Sequence, residues 1–387
     1  MTSRSTRPPA ATRAAVVVAI CAFVVLALPK SGIGTAWPTI REDFGRSVGD
    51  LGTLLAVYIG AYGVASALTG RLGGRMPVWA LGGGSVLLAA IGLIAFTLVA
   101  EWLPLLVASA VVGAAGGALD TSLNGYAAHR FTVGAMNLLH AGFGLGATLG
   151  PLVLSLVIDG GAGWRFAYVI FIVVEFGLVG LFVRFRRQFP VAHPAPGVGR
   201  AGVGIDGVVV LSLAVFFVYT GLEVAAGQWA FSVLSEGRGL STVTAGAWVA
   251  AYFGGLTVGR LLLGVVGDRM GPSPVLRWSV AGSVAGSLVF ALDWAGAGMV
   301  GLPLLGFALA GVFPTLMLMT PDRVGSDRAN AMVGYQLAAA SVGGALVPWF
   351  GGRLVEWTTL EAIGPLLVTT AIVLAGLHSW SSRVAPV

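Results

Sequence analysis

The chain has 387 residues, of which 57% are apolar and only 10% charged, with 59 glycines and 11 tryptophans. A soluble domain carries about a quarter charged residues, so most of this chain has no water-facing surface to offer, and the disordered, collagen-like, disulfide-scaffold and soluble-enzyme classes are excluded. The lone cysteine, Cys21, rules out an intrachain disulfide, and the formal charge of +6, with Lys30 the single lysine among 22 basic residues, collects in short loops, so no nucleic-acid partner is expected.

A membrane-spanning helix needs about 20 apolar residues, and twelve stretches qualify. They are about 14–37, 50–70, 78–100, 103–127, 135–158, 164–184, 206–231, 243–267, 274–293, 298–320, 328–351 and 360–380. The first follows Arg13 but is longer than a signal-peptide core and lacks a small-x-small cleavage site, so it reads as a helix. With the N-terminus inside, fifteen arginines fall in cytoplasmic segments and six basic residues outside. That bias places both termini in the cytoplasm of a plasma (inner) membrane. The longest polar stretch, 185–205, divides the spans six and six into an N-terminal unit (1–184) and a C-terminal unit (206–387). Its Gly197-Val198-Gly199-Arg200-Ala201-Gly202 string satisfies GxGxxG, but no strand precedes it and no βαβ unit surrounds it, so it is a linker.

An internal repeat supports the division. Shifted by 194 residues, 45–76 lies over 239–270, and Gly45, Ser47, Gly52, Ala56, Tyr58, Gly60, Val64, Leu68, Gly70, Gly73, Arg75 and Met76 all meet identical residues. Both copies enter the membrane from the same side, as in transporters made of two parallel six-helix bundles around a central site. The repeat ends on Gly264-Val265-Val266-Gly267-Asp268-Arg269-Met270-Gly271. This resembles the GxxxDRxG loop signature of the major facilitator superfamily, and the resemblance spans essentially the whole chain. It implies an all-α membrane protein of twelve transmembrane helices in two pseudo-symmetric bundles, with Gly264, Asp268, Arg269 and Gly271 as a conformational loop. The first-half copy keeps Gly70 and Arg75 but has Gly74 where the acid would stand.

A charge near the bilayer centre costs at least ~2.5–3.5 kcal/mol, so ionisable groups inside spans are functional candidates. Asp120 and Asn124 share one face of the fourth span, and Asn137 and His140 share one of the fifth. The turn near residue 130 sets Asn124 level with Asn137 and Asp120 level with His140. Histidine titrates near neutral pH, so the pair either exchanges a proton or simply satisfies itself while fixing two helices. These strings resemble the fucose permease branch of the superfamily, as do Tyr219-Thr220-Gly221-Leu222-Glu223 followed by Trp229, Phe313-Pro314-Thr315 and Gly343-Gly344-Ala345-Leu346-Val347-Pro348. The resemblance puts the branch's proton-coupling carboxylate on Asp120 and its fifth-span amide on His140. One departure is plain: the branch has an acid on the first span, where this chain has Lys30 after Pro29.

Pro29 is expected to interrupt the first helix. In the 194-residue register it faces Glu223, so Lys30 and Glu223 either pair as an outer gate or leave Lys30 reaching for the headgroups. Glu175 on the sixth span reads as lipid-side or packing. Gln228, Trp229, Gln336 and Phe313 are candidate cavity liners beside Asn124, Asn137, Tyr219 and Glu223. Gly142, Gly146 and Gly150, before Pro151, form a stripe that suits close helix packing.

The expected function is secondary transport of a small polar solute, sugar or sugar-like, by alternating access with proton coupling; the alternative is a proton-driven drug or metabolite exporter. No metal cluster, nucleophile–base string or phosphate loop is present in the sequence, so neither enzyme activity, cofactor nor metal is expected. The expected partners are the solute, protons and the lipid bilayer, with the protein a monomer.

Overall fold

A computed structural model of the protein describes residues 11–72, 75–191, 206–293 and 296–384. The first half forms α1 (Arg13–Asp43), α2 (Asp50–Leu72), α3 (Val78–Leu98), α4 (Trp102–Arg130), α5 (Val133–Asp159) and α6 (Gly163–Arg184). The second half forms α7 (Gly207–Ser232), which runs into a π-helical turn (Val233–Gly237), then α8 (Thr242–Met270), α9 (Pro272–Leu292), α10 (Gly298–Leu309), α11 (Val312–Leu318), α12 (Thr320–Val324), α13 (Ser326–Trp357) and α14 (Ile363–Val384). Beyond Val191 the expected linker lies outside the described residues, as do Gly73, Gly74 and the side chains of Arg71 and Asp268.

Helix starts are written locally. Thr12, Thr132, Asp206 and Ser241 each accept a bond from the backbone N–H three residues on, at 2.9–3.3 Å, opening α1, α5, α7 and α8. One expectation needs correction. Pro29 does not interrupt α1, which continues through both Pro29 and Pro38 to Asp43; a packed membrane helix can satisfy the carbonyl a proline frees. The expected tenth span, 298–320, is present as one crossing, Gly298–Leu318, made of α10 and α11 with a joint at residues 310–311, and the short α12 follows it. Eleven described helices are long and apolar enough to cross a membrane. The expected eleventh span lies inside α13, whose 32 residues reach about 48 Å.

The repeat is visible in three dimensions. Gly45 and Gly239, equivalent positions, both adopt positive φ (57° and 69°), which only glycine takes without strain. The carbonyl of Tyr58 meets Gly113, and that of its equivalent Tyr252 meets Gly306, so α2 on α4 and α8 on α10 pack alike. The glycine stripe of α5 packs as its spacing implies: side chains added at Gly142, Gly146 and Gly150 would strike the carbonyls of Ile20, Val24 and Leu28 on α1.

The face carrying residues 13, 184, 270 and 384 is called terminal here, and the opposite face distal. The halves meet along α1–α7, α2–α13 and α5–α8. On the distal side Gly49 abuts Gly352 and Gly52 abuts Trp349, backbone on backbone, and the register continues to Gly63 against Ser341. One or two turns further it would bring Leu68 opposite Tyr335, yet these are 51% and 52% exposed. The α2–α13 seam therefore opens toward the terminal face. The α5–α8 seam stays closed, with Gly246 on Ser155, Gly144 on Thr257 and Gly264 beside Asn137.

Candidate functional site: a polar cluster between the halves

Asp120 on α4 organises the first half's contribution. Its Oδ2 accepts the Tyr62 hydroxyl at 2.8 Å and its Oδ1 accepts the Asn124 amide at 2.9 Å. The Asn124 bond follows from i, i+4 spacing. Tyr62 arrives from α2 because Gly117, one turn before Asp120, lets the Tyr62 carbonyl come against α4. The Lys30 ammonium lies over the rings of Tyr62 and Phe143, 5.2 and 5.7 Å from their centres, a cation–π arrangement. Charged groups acting on Lys30 are Asp120, Glu223 and Arg260. Among the described residues none of them pairs with it within 4 Å.

Glu223 on α7 accepts the Tyr219 hydroxyl and stands 3.9 Å from the guanidinium of Arg260 on α8. The expected Lys30–Glu223 contact is thus not made, and Glu223 has Arg260 as its ion-pair partner. Tyr219 stacks near Phe313 (6.1 Å between ring centres), which also meets Phe216. His140 is exposed, with its ring edge-on to Phe23 at 5.8 Å, and Arg260 and Asp120 are the charged groups that act on it. Asn137 is exposed beside α8. Asp120, Asn124, Asn137, His140, Lys30, Tyr219, Glu223 and Phe313 therefore gather in one region.

Three other candidates sit elsewhere. Gln336 is 1% exposed and bonds Ser212 at 2.7 Å and Thr320 at 3.0 Å, tying α13 to α7 and α12. Trp229 is fully buried with its indole N–H on the Pro348 carbonyl at 3.1 Å. Gln228 is buried and reaches across to α1, where its Oε1 accepts the Gly34 N–H at 2.9 Å and its Nε2 donates to the Lys30 carbonyl at 3.1 Å. Residues 34 and 228 are the same position of the two repeats, so this bridge sits where α1 and α7 cross. Distal to it, Arg41 pairs with Glu236 and Ser47 bonds Glu356, again between halves. Glu175, 2% exposed with one carboxylate oxygen unpartnered, packs inside the first half as a buried residue, away from lipid.

Arg260 was missed by the sequence reading. The signal existed: of the 22 basic residues it is the one that falls in neither set of loops, because it lies inside the eighth expected span. At the terminal ends, Gly271 takes φ +77° as α8 turns into α9, which explains a glycine at the end of the loop signature. Gly264 lies in the last two turns of α8 with Arg269, whereas Gly70 lies near the end of α2 and Arg75 in the turn that follows.

Comparison with known proteins agrees with this architecture. The Major Facilitator Superfamily profile matches residues 19–206 and 211–384. The glucose/mannose transporter GlcP of Bacillus subtilis is 24% identical over 301 residues, 73% of each chain. The fosmidomycin resistance protein of Escherichia coli is 21% identical over 355 residues, 86% of this chain and 84% of that protein. Among solved structures, a mutant form of the nucleoside transporter NupG superposes with a TM-score of 0.74 at 15% identity, covering 95% of this chain and all of that one. FucP in its outward conformation superposes with a TM-score of 0.63 at 16% identity, covering 95% and 99%. Twelve helical passages in two repeated halves, a polar cluster between them and a profile match over nearly the whole length lead to one conclusion: the chain is a transporter of the Major Facilitator Superfamily.

Proposed function

We propose that the protein carries a small polar solute, sugar or sugar-like, across the plasma membrane together with a proton, by rocking of the 1–184 and 206–387 units about the central cluster. The observation that carries this reading is Asp120, a carboxylate deep in a spanning helix, held by Tyr62 and Asn124 and near His140 and Lys30. A carboxylate in that position is poised to take up and release a proton as the cavity changes sides. Likeness to GlcP, whose name is that of a glucose/mannose transporter, supports the solute class. Tyr219 itself is 1% exposed, behind Phe313, so the half-buried Phe313 and the Asn124 and Asn137 amides supply the apolar face and polar groups that a polyhydroxy ring would use. In the state described, the distal gate is shut by Gln228 and the Arg41–Glu236 pair, and the cavity opens toward the terminal face, which the charge bias makes cytoplasmic.

Proteoliposomes with a pH electrode test this. Addition of the transported sugar is expected to make the medium more alkaline as solute and proton enter together. In Asp120→Asn the rate is expected to fall at least ~100-fold, the scale of a lost proton-transfer group. Uptake at the wild-type rate in that variant would sink the coupling role. Likeness to the fosmidomycin resistance protein favours a second reading, export by proton exchange. It predicts proton movement of the opposite sign in the same assay.

A further inference from the structure

We infer that the central site takes a carboxylate-bearing solute, a sugar acid, with Lys30 as its anchor. This rests on the sugar-like reading above and narrows it.

The argument begins with who holds whom. Each carboxylate of the cluster has its own partners: Asp120 has Tyr62 and Asn124, and Glu223 has Tyr219 and, at 3.9 Å, Arg260. Lys30 has none of these. Its ammonium rests over two aromatic faces, and among the described residues it makes no hydrogen bond or ion pair. An ammonium carries three donors, and in a cavity inside the membrane an unused charged donor is costly unless something arrives to use it. The ring contacts hold the charge in position without filling those donors.

Charge arithmetic points the same way. In their ordinary states Lys30, Arg260, Asp120 and Glu223 sum to zero. One bound carboxylate takes the cluster to minus one, and one co-bound proton returns it to zero. A neutral sugar needs no such compensation and leaves Lys30 unanswered. A phosphate ester brings a charge nearer two, which one free ammonium does not balance while Arg260 stays with Glu223. Lys30 is also connected to the distal seal, since Gln228 grips its backbone carbonyl. A ligand drawn to the side chain therefore acts on a residue of the gate.

The test is calorimetric binding to the purified full-length protein, with glucuronate, galacturonate and gluconate set against glucose and galactose, and with glucose 6-phosphate as a third arm. A sugar acid is expected to bind at least ~10-fold more tightly than its neutral parent, the size of one charge-assisted hydrogen bond. Lys30→Gln should abolish that preference and Lys30→Arg should keep it. Neutral sugars binding as well as their acids would overturn the anchor and leave the sugar-transport reading standing. Preference for the phosphate ester would overturn the carboxylate class. Binding of none of these would overturn both readings. Should Lys30→Gln fail to fold, the acid-to-neutral ratio in the wild-type protein decides alone.

Discussion

The distal and terminal ends of the same two halves are built on different terms. At the distal end the halves touch through bare backbone, Gly49 on Gly352 and Gly52 on Trp349, and through polar links at Gln228, Arg41–Glu236 and Ser47–Glu356. At the terminal end the α2–α13 seam lets go, leaving Leu68 and Tyr335 half exposed. A seal of glycine contacts and hydrogen bonds has little apolar area to lose when it parts. On the alternating-access reading it is a contact to be made and unmade, in contrast to the α1–α5 packing within the first half, where side chains at Gly142, Gly146 and Gly150 would drive the helices apart.

That contrast can be broken most forcefully at Gly352. A side chain there would strike the Gly49 backbone only when the distal end is shut. Gly352→Leu is expected to cost closure about 3 kcal/mol, which shifts the shut population ~100-fold, while the separated halves still fold. A cysteine at Thr39, which lines a small distal pocket, reports this. Faster labelling by a membrane-impermeant thiol reagent in a folded, monodisperse protein is the expected result, and unchanged labelling would refute it.

A smaller effect is expected from Gln228→Leu. Two neutral hydrogen bonds between the halves are lost, worth about 1–3 kcal/mol together, so labelling at the same position should rise ~10-fold. Gln336→Leu sharpens the comparison from the other side. It is as buried as Gln228 but bonds only within its own half, to Ser212 and Thr320. Its loss should lower the melting temperature by a few degrees, consistent with about 1–2 kcal/mol, and leave distal labelling and transport per folded molecule unchanged. A change in labelling would show that the two amides are not distinguished as described. The least effect is expected at Arg41→Ala: its pair with Glu236 is partly exposed at the rim, and such pairs contribute under ~1 kcal/mol and weaken with salt. Distal labelling measured at low and high salt checks this.

What could be read from the sequence was whatever depends on neighbours along the chain or on symmetry. The spans follow from apolar length, Asp120–Asn124 from one helical turn, and Gly45 with Gly239 from the repeat. What could not be read depends on which helix the fold brings alongside. Tyr62 meets Asp120 because Gly117 admits α2, which nothing near Asp120 announces. The three amides Asn137, Gln228 and Gln336 look equally suited to line a cavity. Only contacts between distant segments make one an exposed side chain, one a bridge and one an internal brace. Pro29 misled for a related reason, since a proline in a tightly packed membrane helix need not end it.

The Gln228 bridge has one more consequence. The N–H of Gly34 and the carbonyl of Lys30 are four residues apart on α1, the pair that an uninterrupted helix bonds to itself. If α7 moves away in alternating access, these two groups still have each other within α1, and the freed amide meets water entering the gap. Opening thus strands no buried donor or acceptor, and its cost stays within the ~1–3 kcal/mol of two neutral hydrogen bonds. Two-way movement needs such a balance, because a gate that costs much more to open than to close would carry its cargo once and stop.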